Sequence, residues 1–209
     1  MRRILETLVS LLLLLSSERL LGQNKLVANL SLFYFDQAAV RNVQVNSVDT
    51  SVKTETTYTF LSLGLCYAWD AFCLGVKYVQ DDIENKVSSS RGGTTVTTRL
   101  KGLGLSVGYT SDTLVAQGVY LLDGSKTIDE QDLSDFGGTG TGTLVYPAKS
   151  GYVIEIGYGF KIASVRVGPL LTITNFTYKK VKVEGQSIEL SAQEKDDFIV
   201  PQLGLWLDI

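Results

Sequence analysis

Past residue 22 the chain is ruled by period-two alternation. Thr59, Leu61, Leu63, Leu65, Tyr67 and Trp69 occupy one parity, and Ser62, Gly64, Cys66 and Ala68 the other. Tyr152, Ile154, Ile156, Tyr158, Phe160 and Ile162 alternate in the same way with Gly151, Val153, Glu155, Gly157, Gly159 and Lys161. So do Ile199, Leu203, Leu205, Leu207 and Ile209 with Val200, Gln202, Gly204 and Trp206. Successive strand side chains point to opposite faces, so each segment is expected to be a β-strand with one large apolar face and one small, glycine-rich or charged face. A soluble barrel has the reverse arrangement, with bulky residues inside and polar ones outside. Large residues on a wide outer face and small or charged ones in a narrow lumen fit a barrel whose outside is lipid.

Eight such segments are predicted, at 26–40, 53–69, 72–82, 96–110, 114–123, 147–162, 165–181 and 197–209. Tight turns at Trp69-Asp70-Ala71, Ser111-Asp112-Thr113 and Ala163-Ser164 alternate with longer polar stretches at 41–52, 83–95, 124–146 and 182–196, expected to be loops. The fold expected is all-β: an eight-stranded antiparallel up-and-down transmembrane β-barrel over 23–209, with both termini on the short-turn side. Residues 1–22 read as a signal peptide. Arg2 and Arg3 precede a short apolar core, Leu8 to Leu15, that is well below the ~18 residues of a membrane helix. The localisation expected is therefore the bacterial outer membrane. Tyr67, Trp69, Phe72, Tyr109 and Phe160 lie beside the short turns, and Tyr34, Tyr78, Tyr120 and Tyr152 lie toward the longer stretches, as two aromatic girdles would.

These features together resemble the small OmpA/OmpX-like outer-membrane barrels. The resemblance is architectural, covers nearly all of 24–209 and rests on no unique motif. Such barrels often end in Phe, whereas this chain ends Leu207-Asp208-Ile209.

Composition narrows the chemistry. The 209 residues hold 20 Gly and 10 Tyr but 3 Pro and 1 Met, which suits strands and turns. A net charge of −3 indicates no basic surface for nucleic acid. The chain has 0 His, which removes imidazole general bases, Ser-His-Asp triads and imidazole metal ligands. No catalytic, cofactor or metal residue is expected, and the chain is read as not an enzyme.

Alternation turns Lys77, Asp81, Glu155, Lys161 and Arg166 inward, with Gln117, Asp123 and Gln202. An eight-stranded barrel is wide enough only to be filled by side chains, so buried charges must pair. Two readings stay open: a structural ion-pair plug, or a gated narrow pore. Arg99 and Lys101 fall on the lipid-facing parity, which requires either a height above the hydrocarbon or a β-bulge that switches their face. Cys66 and Cys73 flank the first tight turn. They stand directly opposite if Trp69-Asp70 is the turn, which leaves either a disulfide or two small lumen thiols. Gly102 to Gly108 and Gly124-Ser125-Lys126-Thr127 lack the spacing of nucleotide loops. The acidic stretch with Asp123, Asp129, Glu130, Asp132 and Asp135 reads as a solvated loop, or as a surface recognition or divalent-cation site, though its spacing matches no EF-hand pattern.

The function expected is a non-enzymatic surface or structural scaffold. Its partners would be outer-membrane lipid and lipopolysaccharide, with cell-surface ligands met through the loops. The alternative is a narrow, porin-like small-solute or ion channel.

Overall fold

The computed structural model describes residues 25–45, 48–89, 92–132 and 140–209. The expected signal peptide, its boundary at 22/23 and Asp135 lie outside them. The described residues form one antiparallel sheet of nine strands: β1 (Lys25–Val45), β2 (Val48–Trp69), β3 (Phe72–Ser89), β4 (Gly92–Thr110), β5 (Leu114–Asp132), β6 (Thr141–Tyr158), β7 (Phe160–Ile162), β8 (Val165–Val183) and β9 (Gln186–Asp208). Each pairs with its chain neighbour, β6 pairs with both β5 and β8, and β9 returns to β1, so the sheet closes into a ring. The count is nine and not the expected eight, because the ladder breaks at Gly159, whose N–H turns to the Thr113 carbonyl (2.6 Å). β6 and β7 are two pieces of one predicted strand, and both lie on β8.

Four stretches expected as long loops are largely strand. Residues 182–196 are strand on either side of a two-residue turn, Glu184-Gly185, both at positive φ (49° and 84°), the geometry that joins strands of right-handed twist, with a bulge at 190–193 where the register with β8 shifts. Residues 41–45, 48–52, 83–89, 92–95, 124–132 and 141–146 also continue strands. Outward positions among them such as Glu84, Lys86, Thr95, Ser125 and Thr127 are polar, and a polar strand face reads as loop when it is expected to be apolar. Asp36–Thr57 (3.2 Å), Arg99–Asp82 (2.6 Å) and Asn175–Asp197 (2.5 Å) form an outward polar collar where the apolar outer face stops. Arg99 and Lys101 stand at this height, opposite Asp82 and Gln80, with no bulge in their own strand. The bulge is in β5, where Leu103 pairs with Asp123 and Gly104 with Leu121. Leu122 is the extra residue. It switches the parity and leaves Asp123 exposed, not in the lumen.

Below the collar the outer face is a belt of exposed Leu, Ile, Val and aromatic residues, among them Leu32, Val76, Leu105, Ile156 and Leu203. Above it the faces exchange roles. Phe176, Tyr178, Val181, Val183, Leu144 and Tyr146 pack inside, while Lys180 and Lys182 point out. The interior therefore carries two layers, a small-residue and polar one at belt height and an aromatic one beyond it.

The β1–β9 seam is shorter than the others, from Val27↔Asp208 to Leu32↔Leu203. Leu26 and Ile209 exchange both backbone hydrogen bonds, so odd-numbered β9 residues turn their N–H toward β1. The next such position after Leu203 is Pro201, which has no N–H to give, and the seam stops there.

Close strand approach is paid for with glycine at several rungs. A Cβ at Gly168 would collide with the Tyr158 carbonyl, whereas one at Gly118 would meet only the Val107 carbonyl at 4.0 Å. Gly168→Val is therefore expected to abolish refolding, and Gly118→Val to leave it intact, as read by the β-sheet circular dichroism signal after dilution from urea. Equal refolding of the two would contradict this register.

Candidate functional site

The interior at belt height is built from alternate residues of every long strand. Lys77 on β3 and Glu155 on β6 are each 1% exposed, and Lys77 Nζ lies 2.5 Å from Glu155 Oε2 across the lumen. Lys77 also donates to Asn29 Oδ1 (3.0 Å) on β1. Ser62 donates to Glu155 Oε1 (3.4 Å), Ser31 and Ser62 share a bond of 2.6 Å, and Ser31 donates to Gln202 Oε1 (2.5 Å). Five strands thus contribute to one network around a single ion pair. Two opposite charges withdrawn from water are tolerable in this form because each has a partner and further hydrogen bonds.

Arg166 forms a second node near the chain termini. It donates to Thr110 Oγ1 (2.8 Å), to the Ser111 carbonyl and to Asp208 Oδ1 (2.9 Å). Lys25 binds the other oxygen of Asp208 (2.9 Å). First strand, last strand, β8 and the β4–β5 turn are held together there. Between the two nodes lie Trp206, Val27, Ala68, Val115, Leu170 and both cysteines. Gly157, Gly159 and Gly204 make the room that the Trp206 ring fills.

Of the five lumen charges expected from sequence, Lys77, Glu155 and Arg166 are inward and bonded. Asp81 is inward and 5% exposed, but it has no ion pair among the described residues. It sits four residues from Lys77 on the same strand, about 13 Å at ~3.3 Å per residue, too far for contact while Glu155 is within reach. Lys161 is corrected: it pairs with Arg166 on β8 but stands beyond the end of the β5–β6 ladder, exposed, 3.5 Å from the turn residue Asp112. Gln117 and Gln202 are buried inward. Cys66 and Cys73 are both buried and free. The turn is Asp70-Ala71, with Trp69 paired to Phe72, so Cys66 faces Gly75 and Cys73 faces Ala68. The two thiols are diagonal neighbours, not opposite.

Sequence reasoning missed the aromatic layer beyond the belt. There Lys126 binds Asp196 (3.1 Å) and lies 5.0 and 5.3 Å from the Tyr146 and Tyr178 ring centres. Burial, with nearby carboxylates adding to it, pushes both phenols above their ordinary range. Period-two spacing of Phe176 with Tyr178, and of Val181 with Val183, was the available signal.

No family model matches the chain, and no curated protein matches it. Among solved structures, the outer membrane protease OmpT from Escherichia coli matches over 93% of this chain and 100% of its own, at 10% identity and a TM-score of 0.42. The described residues of the present chain form an all-β, antiparallel, up-and-down sheet. An OmpA/OmpX-like affiliation is not what the match shows. The matched protein is named a protease, which points against the expectation that the chain is not an enzyme. At this TM-score and identity, the likeness brings no activity, substrate or site residue to the chain.

Removing one partner of the central pair leaves the other charge buried and bare. Lys77→Met is expected to cost ~3–5 kcal/mol, and the Lys77→Met/Glu155→Leu double variant to recover most of it, in urea unfolding of the refolded protein. Additive losses in the double variant would show that the two residues do not act as a pair.

Proposed function

We propose that this chain is a β-barrel of the bacterial outer membrane, closed to solutes, that acts as a scaffold holding its strand hairpins beyond the membrane surface. The observation that carries this reading is the inversion at belt height. Outward residues such as Leu32, Leu74, Leu103, Ile154 and Leu203 are 41–60% exposed, while Lys77, Glu155 and Arg166 are 1% exposed inside. Water around the belt would make this the wrong way round. Against acyl chains, apolar side chains outside and paired charges inside are each in their favoured medium.

The dimensions agree. The apolar outward run covers Leu26 to Tyr34 on β1, Leu61 to Trp69 on β2 and Ile199 to Leu207 on β9. These are runs of about nine residues, the length a tilted strand needs to cross a bilayer. Trp69, Phe72, Tyr109 and Phe160 stand exposed at one edge, and Tyr34, Tyr120 and Tyr152 toward the other. The polar collar begins beyond that second edge. Both termini then lie on the periplasmic side, and the hairpins of β1–β2, β3–β4, β5–β6 and β8–β9 project outside. On β6 and β8 the inner face there carries Tyr146, Phe176 and Tyr178, while Lys180 and Lys182 face out, as in a water-soluble barrel.

Closure to solutes follows from how the lumen is filled. Trp206, the Lys77–Glu155 network and the Phe176–Tyr178 layer lie at three successive heights. A narrow pore would have to break the ion pair and displace aromatic side chains at once.

Two measurements test the reading. Leu203→Arg, at the middle of the belt, is expected to weaken insertion into phospholipid vesicles by ~2–4 kcal/mol, and Thr57→Arg, above it, to leave insertion unchanged. Planar-bilayer recordings of the inserted protein are expected to be silent. Steady single-channel conductance would replace the scaffold by the channel, and equal tolerance of both arginines would remove the membrane reading itself.

A further inference from the structure

The belt has one marked irregularity. On the outward face of β5 the sequence runs Leu114, Ala116, Gly118, Tyr120, so two small residues stand in line. Gly118 pairs with Val107 on β4 and Ile154 on β6, both large and exposed. The result is an apolar furrow of about 410 Å³ along β5, between the rows of β4 and β6.

Gly118 is not required by the backbone. Glycines 75, 104 and 168 each face a neighbouring strand's carbonyl that a Cβ would strike, whereas a Cβ at Gly118 would meet only the Val107 carbonyl in ordinary contact at 4.0 Å. Its φ is not in the left-handed region. Glycine inside a strand costs stability and marks either a bulge or the close approach of something else. No part of the described chain fills the furrow, so the approach is from outside.

Chemistry at the upper end of the furrow says what approaches. Tyr120 and Tyr152 pair directly there, and their hydroxyls stand at the belt edge. Past them, Lys101 on β4 and Lys149 on β6 are exposed, and neither is in an ion pair among the described residues. Arg99 is already held by Asp82. On this stretch Arg99, Lys101 and Lys149 outnumber Asp82 and Asp123. Six residues separate Val107 from Lys101, about 20 Å along the strand at ~3.3 Å per residue. An apolar slot that leads up to hydroxyls and then to free cations fits a long acyl chain carrying a phosphate at its head.

We propose that the β4–β5–β6 furrow seats one acyl chain of a phosphorylated, multiply acylated lipid of the outer leaflet, of the lipopolysaccharide class. Its phosphate would be met by Lys101 and Lys149. The site lies on the outer wall, so it rests on the membrane-spanning reading and adds a specific lipid contact to it.

Native mass spectrometry of the full chain, refolded in detergent and titrated with lipid A or phosphatidylethanolamine, tests this. The wild type is expected to retain one lipid A at concentrations where phosphatidylethanolamine is lost. Gly118→Leu, which fills the furrow, and the double variant Lys101→Gln/Lys149→Gln are each expected to weaken retention at least about tenfold. Leu203→Phe, across the barrel on β9, is expected to leave it unchanged. Ala116→Leu repeats the block at a position that already carries a Cβ, should Gly118→Leu fail to fold. Undiminished retention by the blocked variants would overturn the proposal, as would equal retention of phosphatidylethanolamine, the mark of an unspecific lipid coat. Vesicle insertion of the same wild-type protein reports separately on the membrane-spanning reading, so failure of one is not mistaken for failure of the other.

Discussion

The constraint on which this structure depends is that a strand in a closed ladder has no third direction. Each side chain goes in or out, and every backbone group is committed to a neighbour. Once the ring is closed, the chemistry of the inside at a given height is whatever the outside left over. At belt height the outside takes Leu, Ile, Val and aromatic residues. The inside is left with Gly64, Gly75, Gly104 and Gly108, the serines at 31, 62 and 106, and a few long polar side chains that must span the gap. Lys77 and Glu155 do this as a pair because either charge alone could not be kept out of water. The ion pair is thus a consequence of the narrow, glycine-lined ring as much as a support for it.

The same constraint explains what sequence could and could not tell. Parity alone was enough to turn Lys77, Glu155, Arg166, Gln117 and Gln202 inward, since it needs only an unbroken run. It failed where one residue broke the count. Leu122 bulges from β5 and turns Asp123 out. Lys161 keeps its parity and pairs with Arg166, but β5 no longer flanks it there, and inward no longer means buried. The cysteine register failed by the smallest step a hairpin allows, a turn at Asp70-Ala71 instead of Trp69-Asp70. Nothing in that local sequence distinguishes these two turns.

The misreading of the loops has a different cause. Polarity was taken as the mark of a loop, which holds only while the outside is apolar. Beyond the collar, outward positions such as Thr57, Lys180 and Lys182 face water and should be polar on a strand. The reliable sign there was inside, in the spacing of Phe176, Tyr178, Val181 and Val183. On the proposed reading the ring stands in two media, and a pattern sought for one medium misses the half that stands in the other.

Closure is itself uneven, and the reason is chemical. The β8 side of β9 is paired from Val183↔Gln186 to Val165↔Leu207, but its β1 side only from Leu32↔Leu203 downward. On the membrane-spanning reading proposed above, an unpaired edge at the belt would expose backbone polar groups to hydrocarbon, which a spanning sheet does not tolerate. Above it, water satisfies them at little cost. Pro201 withholds its donor near that transition, where an open edge ceases to be expensive, and Phe35 beyond it is 46% exposed. On that reading the position of a single proline follows from the same change of medium that moves the aromatic side chains from the outer wall to the interior.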